Sequence, residues 1–106
     1  MVNRGIMETG EIMRGTSLPG EEEALALSLK ALAFILRDEA RRERFMALTG
    51  IDAAALRAGA GEPELGIAVL DHLLGDETAL LLFAAEEGID PTIPRRARMR
   101  LSGEDI

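Results

Sequence analysis

A chain of 106 residues is one domain's worth of sequence, long enough to bury roughly 60–65 % of the surface its unfolded form exposes. It contains no cysteine, which excludes disulfide staples and thiolate metal sites. Its net charge of −7 disfavours non-specific attachment to nucleic acid and to anionic membranes, and its longest apolar stretch, 24–36, carries Lys30 and falls short of the about 20 residues a bilayer span takes.

Residues 1–19 have neither a helical nor a strand period; Gly5, Gly10, Gly15 and Pro19 stand among isolated Ile and Met residues. They are expected to form a disordered arm, with Met7 or Met13 as alternative starts of translation. No apolar segment follows a basic start, so a cytoplasmic protein is expected. A single helical domain is expected over 20–101, with 102–106 as a flexible C-terminus.

The first helix is predicted over 21–37. Three acids, Glu21 to Glu23, favour its positive end, and Leu25, Leu29, Leu32 and Leu36 recur at helical spacing. Asp38 is a good N-cap for a second helix over 39–49, and Gly50 suits its end because glycine tolerates positive φ. Asp52 caps a short third helix over 53–58, with Ile51 and Leu56 spaced as a hydrophobic staple. Pro63 fits the first turn of a fourth helix over 63–74, stopped by Gly75. Asp76 caps a fifth over 77–87, stopped by Gly88. Asp90 and Pro91 are expected to open a last helix towards Leu101, with Pro94 still in its first turn. The fold class is therefore all-α: a compact bundle of five to six short helices. Its expected core includes Leu25, Leu32, Leu36, Phe45, Leu48, Leu56, Val69, Leu70, Leu73, Leu81 and Phe83.

Shifted by 38 residues, the chain matches itself: 31–52 aligns with 69–90 without a gap, and nine of the 22 aligned positions are identical. The matches are caps, stops and core positions, among them Asp38 with Asp76, Phe45 with Phe83, and Gly50-Ile51-Asp52 with Gly88-Ile89-Asp90. Two related helical halves explain them; chance convergence of ordinary helix punctuation is the alternative. The halves also differ. Arg41-Arg42-Glu43-Arg44 in the second helix faces Ala79-Leu80-Leu81-Leu82 in the fifth, which is apolar on nearly every side. Such a helix either lies at the centre of a bundle or presents one side to a partner.

The segment 48–52 (LTGID), the run 69–74 (VLDHLL), Asp76-Glu77 and the apolar 80–85 together resemble a short bacterial family, domain-of-unknown-function family 3572. The resemblance covers about residues 22–101. It implies a compact helical protein of bacterial cytoplasm and carries no activity with it. The N-terminal arm departs from the family pattern, which begins close to the first helix.

Candidate sites are few. His72, the single histidine, has Asp71 beside it and Asp76 four residues on, a pattern that would suit a general base or a metal ligand. It aligns with Phe34, however, and Asp76 is expected to be occupied as a cap, so a packing role is expected. Glu62, Glu64, Glu86 and Glu87 lie at helix ends rather than in a calcium loop, and an Arg from 95–100 is expected to neutralise Glu86 and Glu87. Arg95, Arg96, Arg98 and Arg100 could contact anions, but no aromatic is interleaved to stack bases. The stretch 59–61 lacks the Lys and hydroxyl of a phosphate loop, and no serine has a base at a recognisable spacing. No catalytic residue, cofactor or metal is therefore expected. The leading expectation is a non-enzymatic interaction or regulatory module that binds a protein partner or itself through Leu80, Leu81 and Leu82. A nucleic-acid accessory role through the Arg cluster is the alternative.

Overall fold

The computed structural model describes residues 20–104, and these form six helices with no strand among them. They are α1 (Glu21–Leu36), α2 (Glu39–Thr49), α3 (Ala53–Gly59), α4 (Pro63–Leu74), α5 (Glu77–Glu87) and α6 (Ile93–Ser102). The expectations for 1–19 and for the last two residues lie outside the described part.

Side chains and glycines set most of the boundaries. The Gly20 N–H donates to Glu23 Oε1 at 2.8 Å, so α1 is capped by its own first turn. Asp38, Asp52 and Asp76 accept from the backbone N–H groups of Arg41, Ala55 and Ala79, each satisfying a donor that the helix leaves without a partner. Gly50 and Gly88 end α2 and α5 at φ 74° and 68°, where a Cβ would be strained. Gly75 ends α4 in right-handed backbone instead (φ −82°, ψ −2°), close to Arg37 at the end of α1 (φ −78°, ψ −14°). The joint between α4 and α5 thus repeats the joint between α1 and α2, without requiring glycine.

The last helix starts later than its sequence suggests. Asp90 does not cap it. Its Oδ1 accepts from the Thr92 N–H at 2.8 Å and the Thr92 hydroxyl at 2.6 Å, closing a turn through Pro91, and α6 begins at Ile93 with Pro94 in its first turn. It runs to Ser102 and closes through Gly103 at φ 80°, whose following N–H, on Glu104, reaches Met99 O at 2.9 Å.

The tightest packing is among α1, α4 and α6. The face that α1 buries is Ala24, Ser28, Ala31, Leu32, Phe34 and Ile35; of the expected leucine stripe Leu32 is buried, Leu25 and Leu36 are half-buried and Leu29 is exposed. Small residues explain the rotation. A Cβ built on Gly66 of α4 would stand 2.9 Å from both Ser28 Oγ and Leu101 Cδ1, so glycine there lets three helices meet closely. Ala97 of α6 is fully covered. Around this seam, α2 packs on α1 and α4, while α3 and α5 pack on α4. Phe45, Phe83, Ile35, Val69, Leu70 and Leu73 fill the interior, each burial stabilising by about 1.5–3 kcal/mol.

Two expected core residues are corrected. Leu48 is 70 % exposed and Leu81 is 48 % exposed. In α2 the inward stripe is Phe45, Met46 and Thr49, and at 100° per residue Leu48 falls outside it. In α5 it is Ala79, Leu80, Phe83 and Ala84, and Leu81 and Leu82 point the other way.

Candidate functional site

α5 is not the central helix of the bundle. Ala79, Phe83 and Ala84 are buried and Leu80 packs against the core, whereas Leu81 and Leu82 (42 % exposed) stand outside with Thr78 and Ala85 exposed beside them. Of the three leucines expected to form an interface, the structure brings Leu81 and Leu82 to the surface and turns Leu80 inward. The matching outer positions of α2 are Glu43 and Arg44. The apolar face ends at Glu86 and Glu87. An Arg from 95–100 was expected to pair with these acids; instead Arg37, the residue that closes α1, pairs with Glu86, and Lys30 of α1 lies 3.5 Å from Glu87.

Arg98 does not stand free for an anion. Its Nε lies 2.8 Å from Asp71 Oδ1 and its guanidinium also reaches Glu104 at 3.1 Å, and the bond to Asp71 holds its pKa above the ordinary value. Arg95 is exposed and Arg96 is half-buried, close enough to Asp90 to favour its charged form; the Asp90 pKa is lowered first by its bonds from Thr92. The four arginines therefore do not act as one unpaired cluster.

His72 sits edge-on to Phe45, with centroids 5.1 Å apart and planes at 85°. Phe34 meets Phe83 in the same edge-on manner at 5.4 Å and 61°. The two pairs are exchanged by the 38-residue shift: Phe34 corresponds to His72, and Phe83 to Phe45. His72 thus takes up the packing role expected of it. Burial lowers its pKa below 6.5 and nearby Arg44 adds to this, while Asp76 opposes them.

Beside His72 lies a cavity of about 90 Å³ lined by Ile35, Ala40, Arg41, Arg44, His72, Leu73, Asp76 and Ala79. Arg41 and Arg44 of α2 meet His72 of α4 only in the folded chain, which is why spacing along the sequence did not join them; the departures from the 38-residue correspondence were the signal that could have done so. Among the described residues there is no group of three or more His, Asp or Glu able to hold a metal ion, and no helix long and apolar enough to cross a membrane.

Comparison with curated proteins and with solved structures finds no match. The family model described as "Protein of unknown function (DUF3572)" matches residues 21–104, from the first turn of α1 to the residue after the glycine that closes α6. The chain belongs to this family, DUF3572.

Proposed function

We propose that this chain is a non-enzymatic interaction module that binds a protein partner, or a second copy of itself, through the outer face of α5. The observation that carries the reading is the exposure of Leu81 and Leu82 side by side with Ala85 and Thr78. Among the described residues α5 docks through the opposite face, by Ala79, Leu80, Phe83 and Ala84. At the corresponding positions of α2 the chain places Glu43 and Arg44, so an ordinary charged surface is available to this helix type and is not used in α5.

The 38-residue correspondence supports reading the molecule as two related halves. Besides the identities, the joint torsions match: Asp38 at φ −107°, ψ 123° corresponds to Asp76 at −129°, 94°, and Gly50 at 74°, 8° to Gly88 at 68°, 34°. On this reading the second half has exchanged a solvated helix surface for a sticky one.

Sedimentation velocity over a concentration series tests the self-associating form. It should show a reversible dimer that is lost in Leu81→Gln/Leu82→Gln while the circular dichroism of the variant is unchanged. A chain that stays monomeric up to about 1 mM, an affinity limit worth about 4 kcal/mol, ends that form. Cross-linking from a photoreactive group at Ala85 in cells then tests the partner form. A defined adduct that the double substitution abolishes is expected, and labelling without any defined adduct overturns it.

A further inference from the structure

The first half of the molecule covers its ring: the Arg41 guanidinium lies 4.2 Å from the Phe34 centroid, and Arg41 Nη1 reaches the Phe34 carbonyl at 3.5 Å. In the second half the corresponding ring is His72, but the corresponding residue is Ala79, which is too short to cover anything. The cavity of about 90 Å³ lies beside His72 and is lined by Ala79. Ile35 and its counterpart Leu73 both line it, as do Arg41 and its counterpart Ala79, so it falls between the halves.

Its lining has two characters. Ile35, Ala40, Leu73 and Ala79 form apolar walls, and Arg41, Arg44, His72 and Asp76 supply the polar groups. The charged groups are Arg41 and Arg44 on α2 and Asp76 at the N-cap of α5; α4 supplies His72, and α1 supplies only Ile35. Asp76 is already engaged, its Oδ1 accepting from the Ala79 N–H at 3.1 Å. Arg41 is engaged as well, over the Phe34 ring and at its carbonyl, but two guanidinium charges against one carboxylate charge leave a local excess of positive charge in a chain whose net charge is −7. A cationic guest is disfavoured by both arginines. The volume is below the about 150 Å³ that takes up benzene in an apolar cavity, so the guest has only a few heavy atoms.

We propose that this cavity binds a short-chain carboxylate, with its oxygens at Arg44 and a His72 N–H within the field of Arg41, and its hydrocarbon end against Ile35, Leu73 and Ala79. Guanidinium groups match carboxylate geometry, and the apolar walls distinguish such a guest from an inorganic oxyanion. Bound anion favours the protonated imidazole, so occupancy raises the His72 pKa and the affinity grows as pH falls.

Because His72 is the chain's single histidine, its imidazole proton resonances report the site directly. Propionate titrated at constant ionic strength against chloride should shift these resonances saturably and raise the His72 pKa. Arg44→Gln, an exposed position, should weaken binding several-fold, and Ala79→Leu, which fills the space, should abolish it. The substitutions at Leu81 and Leu82 should leave the titration unchanged, which separates this site from the α5 outer face. No saturable shift with propionate overturns the proposal. So does a phosphate response as strong as that of propionate, which would make the site one for oxyanions without need of the apolar walls.

Discussion

Gly66 is the residue on which the closest helix approach depends. Its missing side chain leaves room for Leu101 and for Ser28, whose Cβ at 3.2 Å is fixed to the backbone of α1 and whose hydroxyl donates to the Leu25 carbonyl. Gly66→Ala is therefore expected to destabilise the fold by about 1–3 kcal/mol despite alanine's better helix propensity, as measured by urea unfolding. Asp38 and Asp76 cap equivalent helices, and replacing either with Ala should cost about 1 kcal/mol in the same assay. His72 contributes through protonation. Its folded-state pKa lies below 6.5, so folding favours the neutral ring. Its contribution is complete above 6.5 and declines as pH falls through the folded-state value, because the unfolded chain takes up the proton first. His72→Phe, which places at 72 the residue found at 34, should remove this part of the pH dependence. It would appear as a difference between wild-type and variant unfolding midpoints that grows from neutral pH towards pH 5.

At the scale of elements, local chemistry in the sequence was a good guide and direction was not. Asp38, Asp52 and Asp76 cap the helices expected of them because an N-cap bond involves only residues three apart. Asp90 misled because Thr92 offers it two donors in a tight turn, which holds its carboxylate away from the helix. The face a helix buries depends on its neighbours. Leucine spacing in α1 pointed to Leu25, Leu29, Leu32 and Leu36, but only Leu32 is buried, and the glycine of α4 meets the helix at Ser28, on the face that also carries Ala24 and Ala31. The same limit misplaced Leu81, since an all-apolar helix carries no pattern to orient it. For α5 the two faces should respond differently. Leu81→Gln/Leu82→Gln should change unfolding free energy by less than about 1 kcal/mol, while Phe83→Ala should cost about 3–5 kcal/mol.

For the molecule as a whole, the six helices, their order and the all-α class were legible in the sequence, because periodicity and punctuation are local signals. The leucines of the candidate surface were also visible, but not their division: Leu81 was expected both in the core and at the interface, and Leu80, expected at the interface, packs on the core. The cavity was hidden, since it arises where α1, α2, α4 and α5 meet, beside a ring at 72 that lacks the cover Arg41 gives Phe34. Departures from the 38-residue correspondence mark both features: Leu81 and Leu82 in place of charged residues, and Ala79 in place of Arg41. The central claim is that α5 offers its outer leucines to a partner and not to the core. Methyl NMR of the dilute chain with a soluble paramagnetic agent tests it most directly. The Leu81 and Leu82 methyls should broaden, less than those of the more exposed Leu48, and become protected when a partner or second copy binds, whereas Leu70 and Leu73 stay sharp throughout. Leu81 and Leu82 signals as sharp as those of Leu70 in the dilute monomer would contradict it.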